Sequence, residues 1–327
     1  MKILITGGTG FIGAHLAKFC SLKGDIVHIC DNNIRGQKDE FITNIIQQNG
    51  VKFIKMDLTN PSEVSNLDLD YNIVFHLAAI NGTENFYKIP YSVFEVALKS
   101  TMNLLEHFKG RSKFVFTSSS EVYAGTIKEK AHLVPTPETV ACTINDVLNE
   151  RFSYGGGKLA CEIMINSYHK QNSLKYQIIR YHNVYGPRMG TKHVMPQFIE
   201  RAKSGERPFK VYGSDQTRAF CFIDDAIRAT YLLAMKDTAG IFNIGNDLEE
   251  VEILKVAEMV NDYYNFDHSF SIEDAPSGSV HRRCPDLTKL KRTIDYVPQV
   301  NLYNGLQKTI EWYDSWFDNR VEVDGVL

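Results

Sequence analysis

The chain has 327 residues, of which 43% are hydrophobic and 23% charged, and its formal net charge is −3. This composition is typical of a water-soluble globular protein with a large core. The small negative charge gives no electrostatic basis for nucleic-acid binding, and no apolar run approaches the roughly 20 residues that span a bilayer. The six cysteines are scattered, without zinc spacing. We therefore expect a cytoplasmic protein with reduced thiols, no signal peptide, no membrane association and no metal site.

The N-terminus carries a glycine-rich motif between an apolar run and a helical pattern. The segment reads Thr6-Gly-Gly-Thr-Gly-Phe-Ile-Gly13. In such a motif Gly7 permits a sharp turn out of the strand, Gly10 allows a pyrophosphate to approach, and Gly13 lets the helix pack on the sheet. The alternative is an ordinary glycine-rich turn. We expect a dinucleotide site, formed by Gly7, Gly10, Phe11, Ile12 and Gly13.

The next apolar runs predict further strands of a parallel sheet. They lie at Asp25–Cys30, Val51–Met56 and Ile73–Ala79, with helical stretches between them. Asp31 follows the second strand, where a carboxylate accepts hydrogen bonds from the adenosine ribose and repels a 2′-phosphate. This favours NAD over NADP, although Arg35 lies close along the chain and weakens the preference.

Polar residues follow a fifth predicted strand, Lys113–Thr117. The segment Ser118-Ser-Ser-Glu-Val-Tyr123 would lie at the carboxyl end of that strand, where open α/β sheets bind ligands. About thirty residues later Tyr154 and Lys158 stand four apart, on one face of a predicted helix. An ammonium group near a phenol lowers the pKa of the phenol, so the tyrosine becomes a usable base. An incidental pair on a surface helix is the alternative.

Further motifs carry a resemblance to a known family. They are Asp57-Leu58, His76-Leu-Ala-Ala79, Arg180-Tyr-His-Asn-Val-Tyr-Gly-Pro-Arg188, Val211-Tyr-Gly-Ser-Asp-Gln-Thr-Arg218, Phe222-Ile-Asp-Asp225 and Phe242-Asn-Ile-Gly245. With the glycine motif, the serine run and the Tyr154/Lys158 pair, they resemble the extended short-chain dehydrogenases/reductases of the NAD-dependent epimerase/dehydratase family, which modify nucleotide sugars. The resemblance covers nearly the whole chain.

The resemblance implies a role for each matching residue. Tyr154 would be the catalytic base, Lys158 its activator and a ligand of the nicotinamide ribose, and Ser119 the catalytic hydroxyl. Other implied NAD contacts are Asp31, Asp57, Leu58, Leu77, Ala78 and Ala79. The implied contacts to a nucleoside-diphosphate sugar are Ser120, Asn183, Val194, Tyr212, Arg218 and Arg283, where the arginines would grip the diphosphate.

The resemblance also implies the architecture. We expect an α/β fold with a Rossmann-type doubly wound parallel sheet over residues 1–180, with returning segments near 215–245. A smaller C-terminal α/β domain, residues 181–327, would mainly bind the nucleotide sugar. Helices after Ser92 and Tyr154 would form a four-helix interface in a homodimer.

The sequence pattern itself predicts one long loop beside the site over residues 125–153. Glycines 155–157 would give backbone room for a substrate or partner chain.

The reaction depends on residues near the sugar. Enzymes of this family first oxidise the sugar, usually at C4. Epimerisation needs no further acid or base, and we place it first. The order Ser119-Ser120-Glu121, together with Arg283, resembles UDP-glucuronate decarboxylases, whereas Gly155–Gly157 does not. Decarboxylation is therefore our second choice. Glu121 would be either a catalytic or a merely structural carboxylate. Dehydration is third, because Ser120 stands where that reaction needs an acid. A non-catalytic NAD-binding scaffold or sensor is the alternative outside enzymes.

Overall fold

The computed structural model describes residues 1–34, 39–275 and 279–318, and a seven-stranded parallel sheet lies at its centre. The strands of the described residues are β1 (Lys2–Thr6), β2 (Ile26–Asp31), β3 (Val51–Lys55), β4 (Ile73–His76), β5 (Lys113–Ser119), β6 (Tyr176–Tyr181), β7 (Val184–Tyr185), β8 (Phe209–Tyr212), β9 (Thr217–Ala219), β10 (Cys221–Phe222), β11 (Gly240–Ile244), β12 (Glu250–Glu252), β13 (Phe270–Glu273) and β14 (Arg282–Arg283).

Helices connect these strands and cover both faces of the central sheet. Within the same residues they are α1 (Phe11–Leu22), α2 (Glu40–Ile46), α3 (Pro61–Val64), α4 (Thr83–Lys88), α5 (Pro90–Phe108), α6 (Ala124–Glu129), α7 (Phe152–Asn172), α8 (Val194–Lys203), α9 (Ile223–Ala234), α10 (Ile253–Tyr263), α11 (Thr288–Ile294) and α12 (Leu302–Asp318), with short 3₁₀ helices at Ser120–Tyr123 and Ala131–Leu133.

The central sheet has the order β11-β6-β5-β4-β1-β2-β3, and all its neighbouring strands are parallel. Because side chains alternate along a strand, Ile3 and Ile5 pack into one core with α1, whereas Leu4 packs into a second core with α5 and α7. A sheet buried on both faces accounts for the continuous apolar runs in the sequence. The predicted doubly wound α/β fold is confirmed.

The strand order reverses between β1 and β4, which is where open α/β sheets bind their ligands. The glycine motif follows β1, and Leu77 follows β4. Strand β5 runs past the predicted end at Thr117 to Ser119. The carboxyl ends of these strands therefore bring the cofactor motif and the serine run to the same edge of the sheet.

The C-terminal part forms smaller sheets beside that edge. Strand β9 pairs with β12 and β14, β8 with β13, and β7 with β10. Of the segments expected to return to the main domain, the one near residue 242 supplies β11 of the central sheet. The strands near residue 220 pair only within the small sheets, and α9, which follows them, packs against α1.

The prediction of one long loop over residues 125–153 is wrong for its first part. Helix α6 and the 3₁₀ helix Ala131–Leu133 occupy that part. The reason is a small apolar cluster, because Ile127 and Val134 are buried against Val122 and Tyr123. Within residues 125–153, the stretch from residue 134 to 151 is the irregular part.

Candidate active site

The loop after β1 has the geometry that a bound pyrophosphate requires. Gly7 has φ +65°, and a Cβ atom there would lie 2.7 Å from the backbone nitrogen of Ala78. A Cβ atom on Gly13 would overlap the Gly7 carbonyl oxygen. Helix α1 begins at Phe11 with Gly10 as an N-cap that makes no side-chain capping bond, and its first turn holds no acidic residue. Such an open helix start binds phosphate through its N–H groups and positive dipole, so the residues fit NAD.

The carboxylate of Asp31 faces this loop from the end of β2. Its Oδ2 atom accepts a hydrogen bond from the Thr9 backbone nitrogen at 3.1 Å, and its Oδ1 atom accepts one from the Asn33 backbone nitrogen at 2.9 Å. These bonds hold the carboxylate at the strand end where a ribose is recognised in this type of fold. Arg35, whose positive charge would weaken the preference for NAD, lies outside the described residues.

The predicted cofactor residues Leu77, Ala78 and Ala79 directly follow β4. The backbone nitrogen of Ala78 donates to Thr6 Oγ1 at 3.3 Å, which ties this segment to the end of β1. Beyond β3, Asp57 Oδ1 accepts from the backbone nitrogen two residues later at 2.9 Å, and Asn103 Nδ2 donates to the Leu58 carbonyl oxygen at 2.9 Å. All of these positions thus lie at the carboxyl ends of neighbouring strands.

Helix α7 carries Tyr154 and Lys158 one turn apart. The Lys158 Nζ atom lies 5.9 Å from the centroid of the Tyr154 ring and donates to the Thr117 carbonyl oxygen at 2.7 Å. Lys158 is 2% exposed, and this burial lowers the pKa of its ammonium group to about 8. Phe86 of α4 stacks on the Tyr154 ring with centroids 4.8 Å apart. Phe86 is not predictable from the sequence, since a single aromatic residue forms no motif.

The predicted catalytic serine lies against the same helix. Ser119 ends β5 and caps the following 3₁₀ helix, where its Oγ atom accepts a hydrogen bond from the Glu121 backbone nitrogen at 3.2 Å. A Cβ atom on Gly155 would lie 3.0 Å from the Glu121 carbonyl oxygen. The structure therefore brings the turn of Ser119, Ser120 and Glu121 into contact with the first turns of α7, beside Tyr154.

Glu121 is held between two arginine side chains. Its Oε1 atom accepts from Arg283 Nη1 at 2.6 Å, and its Oε2 atom accepts from Arg151 Nη2 at 3.4 Å. Burial alone would raise the pKa of Glu121, but the charges of Arg283, Arg151 and Arg218 lower it to about 2. Glu121 is therefore a carboxylate at neutral pH.

Arg218 and Arg283 lie opposite each other on the parallel strands β9 and β14. Arg218 Nη2 donates to Gln216 Oε1 at 2.7 Å, and burial, followed by the charge of Arg283, lowers the pKa of the Arg218 guanidinium. Asn183 adjoins β9, since its Nδ2 atom donates to the Ala219 carbonyl oxygen at 3.3 Å. Two adjacent guanidinium groups suit a diphosphate.

The other two predicted substrate residues lie on separate elements. Val194 begins α8, and Tyr212 ends β8 with 44% of its surface exposed. The Arg201 guanidinium, on α8, lies 5.5 Å from the centroid of the Tyr212 ring, so the two elements adjoin. Among the described residues, no side-chain hydrogen bond or ion pair joins Val194 or Tyr212 to Glu121 and the arginines around it.

A cavity behind Ser120 contains a histidine that the sequence analysis passed over. Its lining comprises Ser120, Tyr123, Ala124, Ile127, Thr136, His182, Val280, Arg282, Arg283 and Cys284. His182 Nε2 lies 3.2 Å from Asn243 Oδ1, whereas His182 Nδ1 has no hydrogen-bond partner in the described part of the chain. Burial lowers the pKa of His182 to about 3, so the ring is neutral. His182 belongs to the Arg180–Arg188 motif, but its residue type and spacing give no reason to choose it over the other residues of that motif.

Metal ligation and membrane spanning find no support in the described ranges of the chain. No group of three or more His, Cys, Asp or Glu side chains there is arranged to hold a metal ion. None of the helices in those ranges is both long and apolar enough to cross a membrane. All six cysteines are free.

Known proteins share both the sequence pattern and the fold. A model of the NAD-dependent epimerase/dehydratase family matches residues 3–245. A UDP-N-acetyl-alpha-D-glucosaminuronate decarboxylase of Bacillus cytotoxicus is 33% identical over 95% of this chain and 97% of that protein. UDP-glucuronic acid decarboxylase 1 of Arabidopsis thaliana is 30% identical over 98% of this chain and 71% of that protein.

Solved structures give a second group of similar proteins. UDP-glucose 4-epimerase of Thermotoga maritima, with UDP-glucose, superposes with a TM-score of 0.85 at 28% identity, over 97% of this chain and all of that one. UDP-glucuronic acid 4-epimerase of Bacillus cereus, in complex with NAD, gives the same TM-score, identity and coverage. The sequence relatives and the structural neighbours thus carry out different reactions on nucleotide sugars.

Proposed function

The chain belongs to the NAD-dependent epimerase/dehydratase family, and we propose that within it the chain catalyses decarboxylation of a UDP-linked uronic acid. It is an enzyme of the NAD-dependent group that acts on nucleotide sugars, as its decarboxylase and epimerase relatives are. The sequence alone favours epimerisation. We reverse that order on one observation, the Glu121 carboxylate held between Arg283 and Arg151 beside Ser119.

The charge cluster has a use with a uronic acid substrate that it lacks in epimerisation of a neutral sugar. A 4-epimerase needs a base, a hydride site and room for the keto sugar to turn. With a neutral sugar the diphosphate is the only anion that these guanidinium groups would bind, and burying further charges carries a desolvation cost. A uronic acid substrate carries a diphosphate and a carboxylate, which are the anions that such a cluster attracts. The UDP-uronate decarboxylases among the relatives support the same choice.

Different residues at the strand ends carry out different parts of the proposed reaction. In this proposal residues 1–180 hold NAD, which accepts a hydride from the sugar and returns it, and residues 181–327 mainly hold the nucleotide sugar. Tyr154 takes the proton of the C4 hydroxyl while Ser119 holds the oxygen. The Lys158 ammonium, next to the Tyr154 ring, favours the phenolate.

Loss of CO₂ follows from the ketone at C4. The keto sugar is a β-keto acid, so the C5–C6 bond breaks, CO₂ leaves, and the bonding electrons move onto the C4 oxygen, to which Tyr154 can return its proton. A proton then enters at C5. Glu121, with a pKa of about 2, is no acid at neutral pH, so it orients the water that donates this proton. After C4 is reduced again, one uronate and one proton have become one pentose and CO₂.

The second candidate is 4-epimerisation of a UDP-sugar. It is favoured by the similarity to the 4-epimerases of Thermotoga maritima and Bacillus cereus, one of which acts on UDP-glucuronic acid. The residues proposed for the first oxidation serve both reactions. The distinction therefore lies in what happens at C5 and C6.

Mass spectrometry with UDP-glucuronic acid, UDP-N-acetylglucosaminuronic acid and UDP-glucose in D₂O separates these reactions. Decarboxylation predicts a UDP-pentose product with one deuterium at C5, and no product from Tyr154→Phe. A product of unchanged mass and new retention time would support the epimerase instead. Bound NAD without turnover of any of the three sugars would contradict the proposal and support a scaffold or sensor.

We also propose a homodimer formed through α5 and α7, which pack against each other. Their outer faces expose large apolar side chains, with Tyr91 at 74%, Met102 at 46% and Ile163 at 61% exposure. An apolar face of this kind is typical of a subunit contact. Light scattering should give twice the mass of the chain, and Ile163→Glu should give the monomer mass. A monomeric wild type would contradict this proposal.

A further inference from the structure

Arg151 stands apart from the other charged residues of the site because its hydrogen-bonding capacity is largely unused. Its side chain is 11% exposed, and its one hydrogen bond to Glu121 is long, at 3.4 Å. The Arg151 Nε atom is buried and has no hydrogen-bond partner in the part of the chain that the structure describes. A buried guanidinium N–H group without an acceptor is destabilising. A ligand with an acceptor oxygen would remove that penalty.

Arg218 and Arg282 each donate several hydrogen bonds to protein acceptors, which distinguishes Arg151 from them. Arg218 donates to the Thr217 carbonyl, Gln216 Oε1 and the His281 carbonyl. Arg282 forms a two-bond pair with Glu250, at 2.7 Å for each bond. The cluster of Arg151, Arg218 and Arg283 around Glu121 holds more positive than negative charge. The excess calls for an anionic ligand.

The position of Arg151 indicates which anion it would bind. It is the N-cap of α7 and precedes Tyr154 by three residues, so its side chain leaves the helix one turn before the proposed base. Arg218 and Arg283, on β9 and β14, form the side of the site suited to the diphosphate. Arg151 and Arg283 bind different oxygens of Glu121, and Arg151 begins the helix that carries Tyr154, which would work at C4. In a uronic acid the carboxylate is attached to C5, the next ring carbon.

We propose that Arg151 is the specificity-determining residue that binds the carboxylate of the sugar, and that it selects uronic acids over neutral sugars. The inference rests on the proposed function, because it concerns the same site and substrate class. Arg151 would act on binding rather than on the bond-breaking step. Its loss should therefore raise KM for the uronate much more than it lowers kcat.

Calorimetric titration of the NAD-loaded protein tests this, with Tyr154→Phe in every variant to prevent turnover. UDP-glucuronic acid and UDP-glucose are the probes, since they differ only in the carboxylate at C6. A hydrogen bond between charged groups contributes about one to two orders of magnitude in affinity. Arg151→Gln should therefore raise the Kd for UDP-glucuronic acid about ten- to hundredfold. The Kd for UDP-glucose should change by less than about threefold. Arg151→Lys, which keeps the charge, should restore part of the loss.

Arg282→Gln is the matched control, because it removes the same charge near the site from a residue already paired with Glu250. It should leave the ratio of the two affinities unchanged. Equal weakening of both probes by Arg151→Gln, or an unchanged preference for the uronate, would overturn the inference while the proposed function stood. If the protein with Arg151 intact bound both probes with equal affinity, the proposal of a uronate substrate would be contradicted, and the inference about Arg151 with it.

Discussion

Alanine substitutions at two adjacent glycines of α7 test how the site is assembled. A Cβ atom on Gly156 would meet only Ile144 Cδ1, at 3.7 Å, which is an ordinary contact. A Cβ atom on Gly155 would lie 3.0 Å from the Glu121 carbonyl oxygen, which is backbone and can yield only by moving the turn. Gly155 thus gives room to the chain's own turn at Glu121, and the predicted room for a substrate or partner chain is not required to explain it.

The magnitudes follow from helix propensity and from that close contact. Alanine is about 1 kcal/mol better than glycine inside a helix, so Gly156→Ala should raise the melting temperature by about 1 to 2 °C for a chain of this length. At Gly155 the same gain is offset by the contact, and stability should stay near that of the wild type. The contact must open by a few tenths of an ångström. Because a displacement of about 1 Å can lower a rate about a hundredfold, Gly155→Ala should lower kcat about three- to tenfold.

Steady-state turnover of UDP-glucuronic acid and thermal unfolding of the two variants measure these effects. Gly156→Ala is the control, with wild-type kcat and a higher melting temperature. Equal kcat for both variants, whether high or low, would refute the view that Gly155 sets the position of Tyr154 against Ser119.

Three further predictions concern charge. In the folded protein the pKa of Glu121 is lowered from 4.5 to about 2. The ionised carboxylate therefore contributes at most about 3 kcal/mol to the free energy of unfolding. This contribution is complete above pH 4.5 and is lost as the pH falls toward 2. Glu121→Gln should flatten this part of the curve of unfolding free energy against pH, and an unchanged slope there would contradict the assignment. Glu162→Gln should destabilise the protein by about 3 to 5 kcal/mol in urea unfolding, because it strands the buried Arg180 guanidinium, whereas Glu84→Gln, in an exposed pair, should leave the midpoint unchanged. Asp31→Asn should weaken NAD binding about tenfold and NADP binding less, and an equal loss for both cofactors would argue against a ribose contact.

The sequence predicts the cofactor side of the molecule well, because its determinants are local. The turn at Gly7, the close packing at Gly13 and the strand before them occupy one continuous segment. The Tyr154 and Lys158 pair is local too, since four residues along a helix lie on one face. These elements can be predicted because a few consecutive residues determine each of them.

The charge cluster could not be predicted in the same way. Glu121 and Arg283 are 162 residues apart, and only the packing of the folded chain around β14 brings them together. Arg151 belongs to no sequence motif. Only the folded structure shows that its Nε–H group has no acceptor among the described residues. The partner of His182 Nε2 is Asn243, which belongs to β11 at the edge of the sheet, 61 residues away along the chain. Residue types alone do not reveal contacts that distant packing creates.

The most direct test of the account follows the carboxylate carbon of the substrate. UDP-glucuronic acid labelled with ¹³C at C6 is incubated with the wild-type enzyme and NAD, and the label is followed by NMR. The account predicts that the label appears as carbon dioxide and bicarbonate, at the rate at which a UDP-pentose forms. Label that stays in a sugar nucleotide of changed C4 configuration would contradict decarboxylation.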